Sequence, residues 1–127
     1  MARSRRVSRS KRLSTASGRH ARALAGQPLL PPVRAGQLAG LFKILANGSR
    51  LRLLHALARE GEMCVTALAR TLGMTPQAVS NQLQRLVDRG VLGSTRKGNR
   101  VYYRILDPAV PHFLAWHLRR AFHPRRR

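Results

Sequence analysis

Apolar residues recur along the middle of this chain with a helical period, then for one short stretch with a period of two. Leu38, Leu41, Phe42 and Leu45 fall at i, i+3, i+4 and i+7, which predicts a helix over 33–46 with one apolar face. Asn47 stands where a side-chain oxygen would cap the next helix, Gly48 to Arg59, with Leu51, Leu54, Leu57 and Ala58 as its expected core. Arg50 and Arg52 are expected on the outer side of that helix, and His55 as a packing residue. Glu60-Gly61-Glu62 reads as a turn into a short extended piece, Met63-Cys64. Val65, Leu68, Ala69 and Leu72 return to helical spacing, and Gly73 supplies a stop. Thr75 offers a hydroxyl as N-cap, with Pro76 at the first helical position, where its missing N–H costs nothing. In the helix that follows, Val79, Leu83, Leu86 and Val87 form the buried stripe. Gln77, Ser80, Asn81 and Gln84 lie on the other side, and Gly90 ends the helix.

Two short helices joined through a Gly-containing turn predict a helix-turn-helix. The stretch after it is different. Val91 and Leu92 open a strand, Lys97-Gly98-Asn99 turns, and Val101-Tyr102-Tyr103-Arg104-Ile105 returns, with Val101, Tyr103 and Ile105 alternating against Tyr102 and Arg104. A hairpin with a basic tip (Arg96, Lys97, Arg100) directly after a helix-turn-helix makes a winged helix. The predicted fold is mainly α with a small β-hairpin wing. Long amides on the outer face of the second helix suit base edges in a major groove, and the wing cations suit phosphate.

Beyond the wing, Asp107 is expected to cap a last helix with Pro108 at its first position. Phe113, Leu114, Leu118, Ala121 and Phe122, with Trp116, give that helix an apolar surface that needs a partner. Upstream, residues 1–32 form a basic arm expected to be disordered in free solution, with a helical turn at Ala21–Leu24 on docking. The run from Gln27 to Pro32 marks the boundary of a domain spanning 33–123, and 124–127 is a basic tail. Two readings of the arm stand side by side: it tracks the DNA backbone or enters a minor groove, or its charge only raises non-specific affinity.

Charge sharpens the choice of partner. With 25 Lys+Arg against 4 Asp+Glu, the formal net charge is +21, which favours polyanions. So few acids, no Gly-rich phosphate loop and no nucleophile–base pair argue against an enzyme. One cysteine excludes an internal disulfide and fits a reducing cytoplasm. No run approaches 18 apolar residues, and no apolar segment follows the basic start, so neither a membrane span nor a secretory signal is expected.

A resemblance now becomes specific. MTPQAVSNQLQRLVDRGVLGSTRKGNRVYYRI is similar to the recognition helix and wing of the ArsR/SmtB family of bacterial winged-helix repressors. LAGLFKILANGSRLRLLHAL resembles that family's entry helix followed by Asp/Asn-x-Ser/Thr-Arg-Leu-Arg-Leu-Leu, so the likeness covers roughly residues 35 to 120. It implies a homodimer that pairs first and last helices across a two-fold axis, here through Leu38, Leu41, Phe42, Phe113, Leu114, Trp116 and Leu118. It also implies operator DNA, an imperfect palindrome, as the partner. Gln77, Ser80, Asn81 and Gln84 would read bases, and Arg50, Thr75, Arg96, Lys97 and Arg100 would hold phosphate.

The family's sensor motifs are only half present. Its ELCVCDL aligns with Glu62–Leu68, keeping the first cysteine as Cys64 and replacing the second by Thr66. One thiol per subunit cannot supply the paired thiolates that soft ions need. In the family's C-terminal site, Asp107 and His123 keep ligand types, whereas Ala109 and Arg120 replace histidines. No cofactor is therefore expected. Two alternatives stay open at each place. Cys64 is a buried structural thiol or a one-cysteine redox switch, and His112, His117 and His123 are polar decoration of the last helix or, with Cys64 as a further weak candidate, a non-standard site for a divalent metal. The expected function is sequence-specific repression in the bacterial cytoplasm, in association with the nucleoid. The competing class is a nucleoid-structuring protein that coats DNA with little sequence preference.

Overall fold

The computed structural model describes the backbone of residues 15–122 and the side chains of residues 18–119. In chain order the described elements are α1 (Thr15–Ala25), α2 (Pro32–Leu45), α3 (Gly48–Glu60), β1 (Met63–Cys64), α4 (Val65–Leu72), α5 (Pro76–Asp88), β2 (Leu92–Lys97), β3 (Arg100–Ile105) and α6 (Ala109–Phe122). The mainly α fold with a β wing is as the sequence pattern implies. The described residues divide into two compact units, one up to Ala39 and one from Gly40.

In the first unit, α1 is longer than the single turn expected at Ala21–Leu24. Its TASGRHARALA sequence is rich in alanine and arginine, strong helix formers that need no packing partner to favour the conformation. Every residue from Arg19 to Arg34 is exposed.

The second unit is built around leucine. Leu53, Leu54, Leu57, Leu68, Leu83, Leu86, Leu92, Val79 and Val110 are fully buried, drawing α3, α4, α5, β2 and α6 onto one core. Each such side chain contributes roughly 1.5–3 kcal/mol by leaving water. The inward face of α3 is rotated from the expected one: Leu53 and Ala56 are buried, Leu51 is half-buried against the core, and Ala58 is exposed. With Leu at 51, 53, 54 and 57, two stripes compete, and the one centred on Leu53, Leu54 and Leu57 buries more leucine.

Helix ends follow local chemistry. Asn47 Oδ1 accepts from the Arg50 amide at 3.0 Å, and Thr75 Oγ1 accepts from the Ala78 amide at 3.1 Å. At the end of α5, Gly90 has φ 76°, its amide donates to Val87, and the Val91 amide donates to Leu86. This is a Schellman stop, in which a left-handed residue lets the chain reverse while closing two orphan carbonyls. It delivers Val91 straight into the core and β2 into its sheet.

The wing carries one strand more than a hairpin. β2 and β3 pair antiparallel in register Leu92↔Ile105 to Lys97↔Arg100, so the loop is Gly98-Asn99 alone. Gly98 has φ 66°, as the first position of a two-residue hairpin loop demands. On the other edge of β3, β1 pairs through Met63↔Tyr103 and Cys64↔Tyr102, giving the sheet order β1-β3-β2. The expected extended piece Met63-Cys64 is thus a sheet edge that fastens the wing to the body. Asp107 Oδ1 accepts from the Ala109 amide at 3.0 Å where α6 begins, one residue after the Pro108 expected at its first position.

Candidate nucleic-acid interface

The outward face of α5 follows from its inward one. Burying Val79, Leu83 and Leu86 leaves Gln77, Asn81 and Gln84 exposed, with Ser80 half-buried at the margin. Gln77 Nε2 donates to Asn81 Oδ1 at 3.0 Å, and Gln84 Nε2 donates to Asp88 Oδ1 at 2.9 Å. These i, i+4 pairs restrict the amides to rotamers that stand along the helix, so less freedom is lost when they meet a base edge. Thr75 accepts the Ala78 amide with its oxygen and keeps its hydroxyl proton for donation.

Arg50 is not the outward cation that the sequence suggested. It is half-buried, its Nε donates to Gln82 Oε1 at 2.8 Å and its Nη1 donates to the Ile44 carbonyl at 3.0 Å. It therefore clips the last turn of α2 to α5. Gln82, one residue beyond Asn81, escaped notice because its partner is 32 positions away and no local pattern announces the pair. Arg52 stays exposed while its Nη1 donates to the Leu72 carbonyl at the end of α4, 3.2 Å away.

The wing cations also divide. Arg96 is exposed, and Arg104 bridges the strands to Thr95 Oγ1 at 2.8 Å. Lys97 pairs with Glu62 at 2.6 Å, and Arg100 Nη1 lies 3.8 Å from Cys64 Sγ. Two of the three wing cations expected to hold phosphate are thus engaged with Glu62 and with Cys64 of β1, in the stretch 62–64.

That segment borders a cleft of about 490 Å³, lined among others by Arg59, Glu62, Cys64, Thr71, Arg100 and Tyr102. Cys64 is 7% exposed, at the N-cap position of α4, with Sγ 3.3 Å from Thr66 Oγ1. Its thiol is lowered from 9.0 to about 7. The Thr66 hydroxyl is the largest cause, followed by the Ala67 amide, while burial opposes them and Arg100 adds a smaller lowering. Because the folded value is the lower one, thiolate formation favours folding. That contribution is complete above pH 9.0 and is lost as pH falls through about 7. Alkylation of Cys64 by iodoacetamide is expected to follow a titration with its midpoint near pH 7, moving upward in Thr66→Val. A midpoint near 9 in the parent would show that these contacts do not hold the thiolate.

Neither family metal site fits. Thr66 replaces a thiolate, and the Arg100 guanidinium, 3.8 Å from the Cys64 sulfur, would repel a cation there. Asp107 accepts the Ala109 amide through Oδ1, and the Ala109 side chain has no atom that could ligate a metal. Of the weaker candidates, His112 is exposed, His117 packs on the Phe113 and Trp116 rings, and His123 lies outside the described residues, as does the Arg120 side chain. Among the described residues no group of three or more His, Cys, Asp or Glu is placed to hold a metal ion.

The residues expected at the dimer face differ in exposure. Phe42, Phe113 and Trp116 are 50%, 40% and 42% exposed, and the Phe42 and Phe113 rings meet edge-on at 6.4 Å. Leu38, in the first unit, is exposed as well. Leu114 is buried in the core, and Leu41 and Leu118 are half-buried and packed against it. Val110, which was not singled out, is fully buried one turn before Leu114.

Comparison with known proteins agrees with this geometry. A helix-turn-helix domain model matches residues 45–93. The arsenic resistance transcriptional regulator ArsR1 of Pseudomonas putida is 40% identical over 86 residues, covering 68% of this chain and 61% of that protein. A transcriptional repressor SmtB homolog of Synechocystis is 43% identical over 77 residues, 61% of this chain and 58% of that one. The chain thus matches about three-fifths of the length of these relatives. Among solved structures, the AntR antimony-specific transcriptional repressor superposes with a TM-score of 0.72 at 52% identity, covering 80% of this chain and 91% of that one. The chain belongs to the ArsR/SmtB family. A homodimeric winged helix-turn-helix DNA-binding domain from Mycobacterium bovis is also similar, at TM-score 0.64 and 36% identity over 80% of this chain and 94% of that one. The ArsR/SmtB family is one of DNA-binding transcriptional regulators, not enzymes. Among the described residues no helix is long and apolar enough to cross a membrane.

Proposed function

We propose that this ArsR/SmtB-family chain is a homodimeric, sequence-specific repressor of transcription, acting on operator DNA in the bacterial cytoplasm and so in contact with the nucleoid. The observation that carries the reading is α5: a capped helix, entered by a tight turn, that exposes Gln77, Asn81 and Gln84 while its other face is fully buried. In each protomer α5 would lie in a major groove, with Asn81 and Gln84 offering bidentate contacts to adenine and Gln77 supporting Asn81. Arg96 and Thr75 supply phosphate contacts that fix the register. The exposed rings of Phe42, Phe113 and Trp116 support pairing of two copies, since a contiguous aromatic patch is costly to leave in water.

The test begins by selecting a preferred duplex from a random library with the full chain. Asn81→Ala and Gln84→Ala should each lose about 1–3 kcal/mol of discrimination at one base pair per half-site. Binding to random duplex should stay unchanged, because no phosphate contact is removed. Equal discrimination in parent and variants would refute the base-reading role of α5. A parent that binds every duplex alike would replace the repressor reading with a coating one.

A further inference from the structure

Acids are scarce here, and one of the four is spent against the wing. Glu60 pairs with its neighbour Arg59, Asp88 accepts from Gln84, and Asp107 accepts from the Ala109 amide. Glu62 instead reaches 35 residues along the chain to Lys97, at the last position of β2, with Nζ and Oε1 2.6 Å apart. Lys97 also sits 5.3 Å from the Tyr102 ring centroid, so the sheet and the carboxylate hold its ammonium together. The strand pairing makes this geometry durable: β1 is hydrogen-bonded to β3, which keeps Glu62 beside the wing. We propose that Glu62 sets how much positive charge the wing offers to DNA, by acting as an internal counter-ion that phosphate must displace from Lys97.

The inference rests on the DNA-binding reading and adds a specificity-determining residue to it. A phosphate approaching Lys97 has to break the Glu62 pair and then tolerate the carboxylate nearby. Exposed ion pairs are weak, so the pair attenuates the contact without abolishing it. Phosphate contacts carry no sequence information, and weakening one of them raises the share of binding that depends on bases. In a chain of net charge +21, where unselective attraction is strong, such attenuation favours discrimination between sites.

The experiment measures affinity for a labelled random-sequence duplex across a series of salt concentrations, using the full chain. Glu62→Gln keeps the shape and removes the charge. It should bind more tightly at low salt with a logarithmic salt slope steeper by up to about 0.9 per protomer bound, so that a fourfold rise in salt costs up to about 3.5-fold more affinity than in the parent. Glu60→Gln, which makes the same change of net charge away from Lys97, should leave the slope as it is. In a Lys97→Ala background, Glu62→Gln should have no effect on the slope. A parental slope in Glu62→Gln, or the same steepening with and without Lys97, would overturn the proposal. Sequence enrichment by the parent is scored separately: its failure would count against the proposed function, whereas the slopes alone decide the role of Glu62.

Discussion

Alanine at Leu83 is expected to destabilise the chain by about 2–5 kcal/mol, a large part of the roughly 5–15 kcal/mol that holds a domain folded. Leu83 is fully buried in the middle of α5, and the same core takes in leucines from α3, α4 and β2. Truncation removes burial and leaves a cavity that elements fixed by caps and by a Schellman turn cannot close by sliding. The cost falls on function as well, since the face opposite Leu83 carries the amides. Urea unfolding should show a lower midpoint with an unchanged slope. Gln84→Ala, at the next position but exposed, should stay within about 0.5 kcal/mol of the parent. A cost below about 1 kcal/mol for Leu83→Ala would mean that the inner face of α5 is not closely packed.

What could be read from the sequence was what depends on neighbours in the chain. Thr75-Pro76 gives the start of α5, Gly90 its stop, and the run Val101–Ile105 the returning strand of the wing, because each is decided within a few residues. The amides of α5 were legible for the same reason: once Val79, Leu83 and Leu86 are inside, Gln77, Asn81 and Gln84 are outside. Side chains whose state is decided by a distant partner were not. Lys97 and Arg100 look alike as tip cations, yet one meets Glu62 and the other Cys64, across 35 and 36 residues. β1 is two residues long, too short for any periodicity, and becomes a strand only because β3 offers it an edge. On α6 the apolar residues were recognised but not sorted, since a helix with one face on its own core and another toward a partner is apolar on both. The order of Val110 and Leu114 inside and Phe113 and Trp116 outside comes from packing, not from composition.

Arg50 is where that difference can be measured. Replacing it with methionine keeps an unbranched stem of similar reach and removes both hydrogen bonds, to the Ile44 carbonyl and to Gln82 Oε1. The carbonyl belongs to the last turn of α2, where no further helical amide follows to satisfy it and where the helix dipole favours a cation. Hydrogen bonds from a charged donor contribute about 1.5–3 kcal/mol each when well sheltered; half-burial lowers this, so Arg50→Met is expected to cost about 1.5–3 kcal/mol in all. Arg50→Lys should recover little, because a single ammonium cannot span two acceptors that the guanidinium reaches with different nitrogens. Gln82→Ala should cost less than Arg50→Met and add little on top of it, giving a coupling of at least about 0.5 kcal/mol in the double-mutant cycle. The alternative, a phosphate-holding Arg50, makes the opposite forecast. In that case the methionine variant would unfold within about 0.5 kcal/mol of the parent, while its affinity for DNA fell and its salt slope flattened by about 0.9. Unfolding and DNA titration of the same variant therefore decide whether Arg50 serves the inside of the protein or the outside.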